Sequence, residues 1–114
     1  MTMTKKGGYV RFIGYDCDVL IRKYHANKQA SIQLVIADTD YNRERTNEIG
    51  DSMITATACM PGYPFANNET AIKDYAENAG VLAVLLNAGI VESTGKTIDS
   101  GFAVFPIVRL RTIH

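Results

Sequence analysis

Hydrophobic and polar positions alternate through the first part of the chain. Residues 9–15 (YVRFIGY) and 17–24 (CDVLIRKY) are rich in β-branched and aromatic side chains, which suit a pleated, half-buried surface and predict two strands. Turn chemistry at Asn27 precedes a third run in which Ile32, Leu34 and Ile36 alternate with Ser31, Gln33 and Val35; the first set is expected to face the core. Residues 38–51 (DTDYNRERTNEIGD) are polar and read as a long hairpin tip. Alternation resumes from Ser52 to Met60, with Ile54, Ala56, Ala58 and Met60 on one side, until Pro61 ends a fourth strand that should pair back onto the third.

After Thr70 the period changes. Ala79, Leu82, Ala83 and Leu86 fall at helical spacing. Asp74 with Glu77 has the form of a capping box, while Asn78 suits the start of a shorter helix, so the start stays open between the two. Gly89 followed by Ile90, which can fold back on Leu85, predicts a Schellman ending near Ala88. Because nearly every face of this helix is apolar, burial on more than one side is expected. Residues 90–99 read as a short strand or extended segment bounded by turns, and FAVFPIVRLR (102–111) as a strand with Val104, Pro106, Val108 and Leu110 on one face. Pro106 cannot donate to a ladder, which predicts an edge strand or a bulge. The expected fold class is α+β, an antiparallel β-sheet with one buried α-helix packed on one face, formed by a single domain over residues 9–114 after a disordered 1–8.

Composition narrows the function classes. Twelve basic residues balance twelve acidic ones in 114 residues, and neither half carries an excess, which argues against direct nucleic-acid binding or a membrane surface held by net charge. The uncharged run over 79–91 is too short for a membrane span, which takes roughly 20 residues. No secretory h-region follows Met1, so the expected localisation is cytoplasmic. Cys17 and Cys59 sit in apolar-patterned segments and read as small core residues of a reduced compartment.

Two motifs come close to chemistry and fail on spacing. Gly89 to Gly95-Lys96-Thr97 resembles a phosphate loop, but five residues separate its glycines where four are needed, and it follows a helix rather than a strand. Asp38, Asp40, Asn42 and Glu44 fall at calcium-loop positions, yet Arg43 replaces the turn glycine and Ile49 the bidentate Glu. No metal site, cofactor or catalytic grouping is expected, and the chain reads as a non-enzyme. The polar cluster at the helix start, Lys73, Asp74, Tyr75, Glu77 and Asn78, is the candidate partner-binding site, because helix starts offer free amides and attract anions. Arg109 and Arg111 share a face of the last strand and are candidates for an anionic partner, or serve as a charged edge that discourages aggregation.

IKDY and EN at residues 72–78, AGIVE at 88–92, TG at 94–95 and SGF at 100–102 resemble an uncharacterised domain family of phages and conjugative elements of Gram-positive gut bacteria, over about the second half of the chain. The resemblance carries no activity; it implies an accessory gene of a mobile element. The expectation is a non-catalytic binding protein of such an element, an inhibitor of a bacterial host-defence system such as a CRISPR nuclease, acting on a host protein by protein contact. The alternatives are an oligomeric sponge that captures a small anionic ligand, a nucleotide second messenger, and an element-maintenance or structural module. A homodimer is expected, since a greasy helix and a proline-containing edge strand leave surface for a second copy.

Overall fold

The computed structural model describes residues 5–24 and 29–111; the turn expected at Asn27, His25 beside it and the terminal His114 lie outside them. Four strands, β1 (Lys5–Phe12), β2 (Tyr15–Lys23), β3 (Ala30–Ile36) and β4 (Ser52–Thr55), form one sheet in chain order, each antiparallel to the next. Alternation does what the sequence promises: Cys17 and Val19 stand opposite Ile36 and Leu34, and all four are buried with Ile32, Val10 and Phe12. β1 begins at Lys5, so pairing takes in residues that had been expected to fray.

The segment 38–51 is not a solvated tip. It folds into a short helix α1 (Asp40–Arg43), capped by the Thr39 hydroxyl, which accepts from the Asn42 amide. Asn42 is fully buried; its side chain accepts from the Asp16 amide (3.0 Å) and donates to the carbonyls of Asp16 and Ala37 (both 2.8 Å). One amide side chain thus pins the connection onto β2. Asp38 pairs with Arg43 and Asn42 turns inward, so the calcium-like series does not converge; the described residues hold no cluster of metal-ligating side chains.

β4 is shorter than the expected 52–60. Past Thr55 the chain crosses to a second sheet: Thr57 bridges Ile72, the Lys73 amide donates to Ala56, and the Ala58 amide to Ala71. That sheet is three-stranded and antiparallel, in the order β5 (Glu69–Ala71), β7 (Val104–Leu110), β6 (Val91–Asp99). The last strand is therefore central, not an edge. Its proline is tolerated because the Pro106 carbonyl accepts from Ile72, just past the end of β5. In an antiparallel ladder the nitrogen and oxygen of one residue point to the same side, so the missing donor falls where β5 has stopped. The irregularity foreseen for this strand sits on its neighbour, where β6 loses register between Ser93 and Thr97. Val108 is buried as expected, but Val104 is 55% exposed; burial instead takes Phe105 and Ile107 on the opposite face, against Phe65 and Ala71. β7 thus buries side chains on both faces, while β6 is exposed over most of its length.

The helix α2 (Val81–Asn87) is the largest departure from expectation. Gly80, at φ +96°, separates it from a single 3-10 turn over Ala76–Asn78, and neither Asp74 nor Asn78 is its first residue. Only Val81 and Leu85 are buried, so α2 fills a gap beside β1 and β6 rather than forming a buried layer. Its end follows the expectation: Gly89 donates to Leu86 and Ile90 to Leu85, the paired bonds of a Schellman motif, and Ile90 and Leu85 meet in the core. The result is a mainly antiparallel β structure with little helix. No helix among the described residues is long and apolar enough to cross a membrane.

Candidate protein-contact surface

The segment 72–78 runs from buried to exposed within a few residues. Ile72 is fully buried and the Lys73 amide is tied to Ala56, which fixes the backbone. Asp74 then caps α2 from a distance, its Oδ1 accepting from the amides of Gly80 (2.9 Å) and Leu82 (3.1 Å). Asn78 is buried and donates to the Thr55 carbonyl (2.8 Å) at the end of β4. Both side chains are consumed by the fold, and Asp74 already accepts from the Gly80 and Leu82 amides at the start of α2.

Three members of the cluster remain at the surface. Lys73 Nζ lies 3.2 Å from Glu77 Oε1, four positions along the chain. The Glu77 carboxyl sits below the usual carboxylate range because its own backbone amide, then Lys73, favour the charged form. Tyr75 is 40% exposed; its ring meets Phe105 edge-on at 5.9 Å, with Lys73 Nζ 5.5 Å from the ring centre. Phe105 holds Tyr75 in place while half of the ring faces solvent.

Arg109 and Arg111 share the face of β7 that carries Phe105, but four residues of strand, about 13 Å, separate Arg109 from Phe105. The two groups of candidates do not form one site. Arg109 sits between Glu92 (3.2 Å) and the buried Glu69 (3.9 Å), and Lys96 reaches Glu69 at 3.0 Å. Burial raises the Glu69 pKa, yet Lys96, the Ala66 amide and Arg109 outweigh it and hold the carboxyl below its ordinary value. Arg111 is exposed, with its amide on the Ile90 carbonyl. The stretch that resembles a phosphate loop lies on β6, where the Thr94 hydroxyl donates to the Ile107 carbonyl and Lys96 pairs with Glu69, so its functional groups also serve the fold.

The sequence reading missed the most exposed large apolar side chain among the described residues. Phe102, at the tip of the β6–β7 hairpin, is fully exposed, and Val104 projects two residues later. The hairpin holding them is well tied, with the Ser100 amide on Ala103 and the Gly101 amide on Asp99. The Ser100-Gly101 pair ahead of Phe102 was the available signal, since a turn there lifts the next side chain off the sheet. Comparison with family models, with curated proteins and with solved structures gives no match to this chain.

Proposed function

We propose that the chain is a non-catalytic binding protein that acts by protein contact, and that its target is a component of a host-defence system met by a mobile element in the bacterial cytoplasm. The observation supporting protein contact is Phe102, a fully exposed aromatic side chain on a well-tied hairpin. Large rings that are exposed alone and pre-positioned act as anchors in protein interfaces, since little ordering entropy opposes their burial by a partner. Tyr75 and Lys73, held by Phe105 and Glu77, form the second part of that surface. The mobile-element setting rests on the residue resemblance in the second half of the chain. The nucleotide-sponge alternative draws less support, because Arg109 is engaged by carboxylates and the Gly80 and Leu82 amides by Asp74.

The test is phage plating on strains that carry individual defence systems, with and without the protein. The parent should restore plating against at least one system, and Phe102→Ser or the pair Lys73→Glu with Tyr75→Ala should abolish that effect while melting within about 1 kcal/mol of the parent. A parent that rescues plating against none of them refutes the host-defence reading. Light scattering on the same samples separates a partner surface from self-association: a dimer that Phe102→Ser dissociates assigns the hairpin to a second copy instead.

A further inference from the structure

The turn between β1 and β2 consists of Ile13 and Gly14, both at positive φ (+47° and +82°). A two-residue turn of that kind calls for Asn-Gly or Gly-Gly, and a β-branched side chain is among the poorest fits to a left-handed backbone. Ile13 is also 61% exposed, so burial among the described residues does little to offset the strain. Neither local conformation nor the core asks for isoleucine here, and strain of this sort collects at functional surfaces.

Arg11 of β1 forms a stack with Tyr41 and Arg45 of the connection between β3 and β4. Arg11 donates from Nε (3.0 Å) and Nη2 (2.8 Å) to Asp16 Oδ1, and its guanidinium lies 3.9 Å from the centre of the Tyr41 ring. Arg45 lies 3.5 Å from the same centre, which places the ring between two guanidinium groups. Thr39 donates to the other Asp16 oxygen (2.9 Å), and the buried Asn42 holds α1 beneath, so the stack is set before any partner arrives. The charge of Arg11 is offset by the buried Asp16. Arg45 donates from Nη1 to the Tyr41 carbonyl (2.6 Å), and its ion-pair partner among the described residues is Glu44, exposed and 3.7 Å away, a pair that water screens. Tyr9, half exposed, shares the Arg11 face of β1.

We propose that this end of the first sheet docks an acidic segment of a partner protein, with Ile13 and Tyr9 against an apolar side chain and Arg45, held on Tyr41 opposite Arg11, against a carboxylate. The inference rests on the protein-contact reading above, but its test does not use phage protection, so either can fail alone. The probe is a short peptide of alternating glutamate and leucine, titrated into isotopically labelled protein and followed by amide chemical shifts. Shifts should centre on Ile13, Arg11, Tyr41 and Arg45 and weaken with added salt. Arg45→Glu should lower the peptide's affinity at least about tenfold with an unchanged melt. Ile13→Asn should raise Tm by about 4 °C, as relief of turn strain requires, and still lose the peptide, while Ile13→Val keeps it. Absent or scattered shifts, or Ile13→Asn binding as well as the parent, would overturn the proposal. Shifts produced at these residues by a single-stranded DNA oligonucleotide but not by the peptide would overturn it in favour of nucleic acid.

Discussion

The side-chain amide of Gln29 donates to the hydroxyl of Thr70 across 3.0 Å, although the two residues stand 41 positions apart. Gln29 also donates to the Ala58 carbonyl (2.7 Å) and accepts from the Met60 amide (2.9 Å), while Thr70 donates to Ala30 (2.6 Å). Both residues are fully buried, at the junction where the chain passes from one sheet to the other. A buried polar joint of this kind fixes the angle between two layers only while each of its groups is satisfied.

Gln29→Leu should therefore cost about 2 kcal/mol or more, since it strands the Met60 amide and the Ala58 carbonyl. Thr70→Val should cost less, and the double variant less than the sum of the two. Urea unfolding of all four proteins measures the coupling. Strict additivity would show that the two side chains act independently.

Burial separates two leucines on one helix. Leu85 is completely buried while Leu82 is half-buried, one turn earlier. Leu85→Ala should lose about 2 to 5 kcal/mol and Leu82→Ala less than half as much. Thermal melts that rank the two in the opposite order would place the inward face of α2 wrongly.

Glu69 ties stability to pH. Its folded pKa lies below the unfolded value, so the charged carboxylate stabilises the fold above the unfolded pKa of roughly 4.3, and that contribution disappears as pH falls through the folded value. Glu69→Gln should accordingly melt below the parent at pH 7 and converge on it in acid. A gap in Tm that stays constant from pH 7 down to about pH 2 would remove Glu69 as a source of the acid sensitivity.

The two thiols should differ in reactivity. Cys17 is buried, and burial pushes its pKa up to about 11, whereas Cys59 is exposed, contrary to the expectation that both are core residues. A disulfide reagent should titrate one thiol quickly in the native protein and the second only on unfolding. Fast loss of both would mean that the first sheet opens readily.

The long alternating strands were legible because each strand of the first sheet keeps one face on the core: Cys17, Val19, Ile32, Leu34 and Ile36 announce it. β5 was not, being three residues long and buried on both sides, so Glu69-Thr70-Ala71 shows no alternation at all. The start of α2 was hidden because Asp74 caps it from eight residues before Leu82, across Gly80, a spacing outside any local capping pattern. Pro106 misled because its harmlessness depends on where a different strand ends. Among the candidate site residues, Asp74 and Asn78 were identified as polar groups in excess of an ordinary turn; their partners, Gly80 and Thr55, explain the excess as structure. The Arg11, Tyr41 and Arg45 stack draws on two strand-connected regions and has no sequence signature.

The order of strands in the two sheets also bears on how the chain is made. Strands of the first sheet neighbour one another in sequence, so each hairpin can close soon after its second strand leaves the ribosome. β5 and β6 have no such option, because the strand that joins them, β7, is synthesised after both. Until Leu110 has emerged, the three residues of β5 and the nine of β6 are held without a shared neighbour, and a nascent chain paused before Val104 presents those strands, with Ile72 and Phe65, to whatever chaperone waits at the tunnel exit.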